Sequence, residues 1–186
     1  MSLPDMTVDP NADAIVRRIL APIGYLPGQY MGFLMSRRAE GATLSAIEYL
    51  ARCHCGALSA RYRTAAEPST WSLRACQCSF CRSHGALTTS DPAGSLEFRS
   101  ADPERVQRYR FGGRTADFLV CRDCGVYVGA HAATDGMRFG LLNVLSLRPP
   151  LTGLPAAELM DYGPETADIR RLRREARWTP VLAESV

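Results

Sequence analysis

At 186 residues, with 46% hydrophobic and 22% charged residues, the chain has room for one domain with a full core and the composition of a soluble globular protein. A formal net charge of +3 gives no sign of a nucleic-acid partner. No stretch approaches the ~18–20 uncharged apolar residues of a membrane helix, so a membrane partner is not expected either.

Residues 1–44 read as an extension of unknown role. The stretch 13–20 (DAIVRRIL) suits a short amphipathic helix with Asn11 or Asp13 as N-cap, ended by Pro22 and Gly24. Apolar residues follow, broken by Pro27, Gly28 and Gly32, and 37–41 reads as a linker. The first ten residues are polar and acidic, unlike a signal peptide.

From Ser45 the texture changes to short strands with turn signals, and 45–150 reads as one β domain. Strands are expected at 46–52 and 58–63, flanking Cys53-His54-Cys55-Gly56, and at 70–74, leading into Cys76-Gln77-Cys78-Ser79-Phe80-Cys81. Further strands are expected at 86–89, 95–99 and 106–111. A last group, 117–121, 126–131 and 137–147, surrounds the turn Cys121-Arg122-Asp123-Cys124-Gly125. Short strands at this spacing imply a mostly β, antiparallel fold. Pro149-Pro150 closes the domain, leaving 151–186 as a C-terminal extension. There 156–160 suits one helical turn, and 165–177 (ETADIRRLRREAR) suits a helix. Its Ile169, Leu172 and Ala176 fall on one side, and acids interleave with the arginines, which points to a solvated basic face rather than a nucleic-acid patch.

All seven cysteines lie in the three clusters, and an odd number of grouped thiols points to metal rather than to disulfides. Cys53/Cys55 and Cys121/Cys124 each form a two-thiol knuckle followed by glycine. Together they supply the four ligands of a structural zinc, which would tie the start of the domain to its end. Nothing suggests iron–sulfur chemistry. Cys76, Cys78 and Cys81 remain. Three thiolates leave a tetrahedral ion with one open position, as in catalytic zinc sites, but His84 could close the site as Cys₃His, and spacing leaves both arrangements open. His54 reads as exposed or outer-sphere and His131 as structural. Clustered thiols without an export signal imply a reducing, cytoplasmic setting. Seven thiolates around two zinc ions per chain would also bring the net charge close to neutral.

The motifs CHCGAL from Cys53, CQCSFCRSHGAL from Cys76 and CRDCGVYVG from Cys121 resemble those of the glutathione-dependent formaldehyde-activating enzymes and the related domain of centromere protein V. The resemblance spans about residues 47–147. It implies a mainly β, Mss4-like tent of small antiparallel sheets with zinc knuckles, here with short N- and C-terminal helical segments added. It also implies a structural zinc on Cys53, Cys55, Cys121 and Cys124, and a catalytic zinc on Cys76, Cys78 and Cys81 with its fourth position open. The implied activity is that of a carbon–sulfur lyase, joining glutathione as co-substrate to formaldehyde or another small aldehyde. Arg82 is a candidate for a glutathione carboxylate and His84 for the proton donor. Two other readings compete: a non-catalytic zinc-bound β module that binds a protein or nucleic-acid partner, and a redox protein that switches through Cys76, Cys78 and Cys81.

Overall fold

A computed structural model describes residues 46–186 of the chain. The helix expected at 13–20 and the rest of 1–44 lie outside the described residues. The first strands are β1 (Ile47–Arg52) and β2 (Leu58–Thr64), an antiparallel hairpin closed by the first cysteine knuckle. Residues of β2 are alternately buried and half-buried, with Leu58, Ala60, Tyr62 and Thr64 inward, which is the period-2 pattern of a strand with one face on a core. A 3-10 turn (Pro68–Thr70) replaces the start of the strand expected at 70–74, because Pro68 sets its first turn; β3 is only Arg74–Cys76.

A five-residue helix, α1 (Ser79–Ser83), follows, then β4 (Thr88–Thr89), β5 (Ser95–Ser100), β6 (Val106–Tyr109) and β7 (Asp117–Cys121). Strands β8 (Tyr127–Thr134) and β9 (Met137–Asn143) form the next hairpin, and the end of the strand expected at 137–147 is instead a 3-10 turn, Val144–Ser146, capped by Asn143. The C-terminal segment adds β10 (Glu158–Met160), helix α2 (Ala167–Arg177) and β11 (Thr179–Ser185).

The architecture is mainly β, as expected, and forms one branched sheet. One path runs β1-β2-β5-β11-β9-β4-β3-β10, while β8, β7 and β6 continue from the other edge of β9. Pairing is antiparallel except at two places, β11 with β5 and β10 with β3. Both exceptions come from 151–186, the segment set apart in the sequence. It supplies two strands of the same sheet, and the described residues belong to one compact unit. Residues 158–160 form a strand rather than a helical turn. They bond along β3, with Glu158 N–H donating to Leu73 O at 2.9 Å and Gln77 N–H to Met160 O at 2.8 Å.

The main core is Leu58, Tyr62, Leu96, Phe98, Leu119, Val128, Leu142 and Leu147, each fully buried. Each such side chain contributes about 1.5–3 kcal/mol in apolar burial. Trp71 stands edge-on to Tyr62 at 5.4 Å and to Tyr49 at 4.9 Å, which anchors the loop between β2 and β3. Gly129 in β8 is required by close approach, since a Cβ there would meet Leu141 O at 2.5 Å and the Phe98 ring at 2.9 Å.

Helix α2 begins at Thr166, whose hydroxyl accepts from Ile169 N–H at 3.3 Å. The sequence pointed to a solvated arginine face, and the structure corrects this. Arg173 and Arg174 are the buried residues of the helix, whereas Ile169, Leu172 and Ala176 are only half-buried. The guanidinium groups lie over aromatic rings, Arg173 over Tyr162 at 3.8 Å and Arg174 over Trp178 at 4.9 Å. Arg173 Nε and one terminal N–H donate to Glu165 and one terminal nitrogen of Arg174 to Thr115, while Arg174 Nε is left without a partner among the described residues. Arginine rather than an apolar stripe therefore packs this helix against the sheet.

Candidate metal centres

The first cysteine group is made where two hairpins meet. Cys53 follows the last residue of β1 and Cys121 ends β7, and each N–H closes its hairpin, Cys53 onto Leu58 O at 2.8 Å and Cys121 onto Val126 O at 3.0 Å. The chain then turns through a left-handed glycine, Gly56 at φ +83° and Gly125 at φ +72°, a conformation that costs glycine nothing. These turns bring the sulfurs of Cys53, Cys55, Cys121 and Cys124 within 4.8 Å of one another. No disulfide is present among the seven cysteines.

The spacing fits a metal ion. Four thiolates about 2.3 Å from one tetrahedral ion stand about 3.8 Å apart. Cys53 and Cys55 Sγ are 3.6 Å apart, and Cys55 and Cys121 Sγ, from opposite hairpins, 3.5 Å. Backbone N–H groups already serve the sulfurs, as Leu58 N–H does Cys53 Sγ at 3.3 Å. Burial pushes the Cys121 thiol up to about 12. Cys124 is also opposed by burial, yet the N–H groups of Cys55 and Val126 and the neighbouring thiols bring it down to about 6.

The second group gathers around α1. Cys76 ends β3, Cys78 caps α1 by accepting Cys81 N–H on its sulfur at 3.4 Å, and Cys81 is buried within the helix. Their sulfurs again lie within 4.8 Å of one another, and among the described residues no histidine, aspartate or glutamate joins them. Cys76 is the natural thiolate, lowered to about 6 chiefly by the hydrogen bond from Cys81, against its own burial, with the charge of Arg173 helping. Cys81, which gives that bond and is itself buried, is held strongly in its thiol form.

The three thiols open on a cavity of about 270 Å³. Phe111, Phe118 and Leu141 form an apolar side, and Arg74, Arg170, Arg173 and Arg174 form a cationic one. Tyr127 also lines the cavity, its ring 5.8 Å from that of Phe118; it is 2% exposed, and its hydroxyl is buried with no hydrogen-bond partner. Burial first, and then the charges of Cys81, Cys76 and Cys78, push its pKa well up, so the hydroxyl keeps its proton.

The side chains proposed from sequence divide sharply. The seven cysteines fall into the two groups drawn from their spacing. His84 does not join the thiols: it caps α1, its Nδ1–H donates to Phe80 O at 2.9 Å, and its ring packs on Phe80 at 4.2 Å. Arg82 is exposed and does not line the cavity. His54 is exposed, and His131 is buried in β8 with Nε2 2.9 Å from Glu184. Sequence reasoning missed Tyr127 and the arginines. A signal for the arginines existed, because Arg170, Arg173, Arg174 and Arg177 recur at i, i+3, i+4 and i+7, one face of a helix. None existed for Tyr127, whose position follows from the pairing of β8.

Residues 48–149, which contain both cysteine groups, match the glutathione-dependent formaldehyde-activating enzyme family. The chain belongs to that family. A crystal structure of a Rhodobacter sphaeroides protein from a structural-genomics programme is similar at 28% identity and a TM-score of 0.49, covering 60% of this chain and 99% of that one. No curated protein matches the chain. The family region holds the thiols and the apolar side of the cavity, together with Arg74. The rest of the cationic side, with Tyr162 and Trp178, comes from residues beyond it.

Proposed function

We propose that this chain is a zinc-dependent enzyme of the carbon–sulfur lyase type, which joins glutathione to formaldehyde or another small aldehyde. The observation that carries this reading is a three-thiol group that no fourth side-chain ligand joins among the described residues, set in a cavity, in a molecule whose other thiol group has four. Cys53, Cys55, Cys121 and Cys124 would hold a structural zinc, and Cys76, Cys78 and Cys81 a second, exchangeable one. Bound there, the second ion supplies a Lewis-acid position that favours the thiolate form of an incoming thiol. Reduced thiols throughout fit a cytoplasmic setting.

The remaining tasks fall to side chains of the cavity. In the net reaction the S–H bond of the thiol is lost, a sulfur–carbon bond forms, the carbonyl π pair moves onto oxygen, and that oxygen ends with the proton. The growing negative charge on oxygen needs a donor already in place. Tyr127 Oη–H is buried, protonated and unpartnered, and it lines the same cavity as the thiols. It takes the role that sequence spacing suggested for His84, whose Nδ1–H is committed to Phe80 O and whose Nε2 is then an acceptor. Phe111, Phe118 and Leu141 give this part of the cavity an apolar lining, in which a hydrogen bond from Tyr127 to the reacting oxygen would be stronger than in water.

The test is exchange between free glutathione and its formaldehyde adduct, followed by two-dimensional exchange NMR with the zinc-loaded protein. Acceleration over the uncatalysed exchange, abolished in Cys78→Ser, is the expected result. Exchange at the uncatalysed rate with both sites filled would refute the enzyme reading and leave a zinc-bound binding module.

A further inference from the structure

The cavity carries more positive charge than the thiol chemistry requires. Arg170, Arg173 and Arg174 project from one face of α2, and Arg74 from β3 joins them. Among the described residues only one of the four has a full carboxylate partner. Arg173 is bidentate to Glu165, at 2.6 and 2.9 Å. Arg170 reaches the same carboxylate only at 3.7 Å and otherwise donates to the carbonyls of Tyr162 and Glu165, both at 3.2 Å. Arg174 donates to the carbonyl and hydroxyl of Thr115, both at 2.8 Å, and Arg74 to Ser90 Oγ at 2.6 Å. Among the described residues the one acid on the lining is Asp161, exposed and engaged by Gly163 N–H at 2.9 Å.

Two of these cations, neither with a carboxylate partner among the described residues, are deeply buried, Arg74 at 5% exposure and Arg174 at 9%. Arg174 Nε is in addition buried without any hydrogen-bond partner, in a cavity-lining side chain. A buried guanidinium with a spare donor and no counter-charge is costly unless an anion completes it. Balancing the thiol group does not account for the surplus. Three thiolates around a divalent ion carry one net negative charge, and the nearby Arg173 already acts on Cys76.

We infer that the arginine face of α2, with Arg74, is a carboxylate subsite that holds the acidic end of the thiol co-substrate while its sulfur lies at the three-thiol group. The inference rests on the thiol-activating reading for its second half, and on the arginine geometry alone for its first. A planar guanidinium matches a carboxylate with two parallel N–H donors, which an ammonium cannot do. Selectivity for an acidic thiol is thus set by a helix outside the family-matched residues.

The experiment is calorimetric titration of the full-length, zinc-loaded protein with glutathione, glutathione diethyl ester and succinate, a dicarboxylate without a thiol. The variants are Arg174→Gln, Arg170→Gln and, as a control, Arg171→Gln, an exposed arginine that pairs with Glu175 at 3.0 Å. Glutathione should bind about tenfold or more tightly than its diester, and succinate should compete with it. Arg174→Gln and Arg170→Gln should abolish that preference, and Arg171→Gln should keep it. If Arg174→Gln fails to fold, Arg170→Gln decides. Equal binding of glutathione and its diester overturns the inference while the thiol reading survives. Arginine-dependent binding of succinate without any binding of glutathione keeps the subsite and removes the thiol reading. No binding of either removes both.

Discussion

The two cysteine groups use the same ligand in opposite surroundings. The four-thiol group joins two hairpins, with Cys55 and Cys121 66 residues apart in sequence, and offers four ligands. The three-thiol group is local, drawn from one strand end and the first turns of one helix, and it faces a cavity. A group that ties distant segments contributes its binding energy to folding. A group held within six residues can lose its ion at little cost to the fold, and so can exchange ligands. On the proposed reading, position in the topology, rather than cysteine count alone, would separate a structural from a reactive site.

The largest effect should come from the four-thiol group. Cys121→Ser should leave the chain unfolded, because a structural zinc contributes about 10 kcal/mol or more, comparable to the whole stability of a domain at about 5–15 kcal/mol; circular dichroism and thermal melting would show it. Cys78→Ser should instead fold, since serine can replace the cysteine as cap of α1. It should carry one metal instead of two, and adduct exchange should fall to the uncatalysed rate. If both variants unfold alike, the contrast between the groups is lost. Within the cavity, Tyr127→Phe should keep fold and metal content but slow exchange by about 10²-fold; an unchanged rate would remove the hydroxyl from the chemistry. Smallest of all, Arg82→Ala should change stability by less than about 0.5 kcal/mol and leave glutathione binding as it was, since the side chain is exposed outside the cavity.

The metal groups were legible because their spacing is short-range chemistry: two thiols on a tight turn with a following glycine point the same way in any context. The β character was legible from alternation in β2 and from the turn signals. What the sequence hid depended on long-range pairing. The role of 158–160 was set by the free edge of β3, and no local pattern records that edge. In sequence, arginines 170, 173 and 174 read as a solvated face because the usual rule places charge outside. Here Tyr162, Trp178, Glu165 and Thr115 supply the rings and acceptors that make burial tolerable. Arg82 and His84 were drawn in by nearness in sequence to the last thiol, but α1 turns Arg82 to solvent and commits His84 Nδ1 to Phe80 O.

Metal content per chain, with zinc-edge X-ray absorption recorded before and after glutathione is added, tests the proposed division of labour most directly. Two zinc ions with seven cysteine sulfurs between them, gaining one sulfur with glutathione in the wild type and none in Cys78→Ser, is the expected result. Two ions whose coordination is closed and indifferent to glutathione would contradict it.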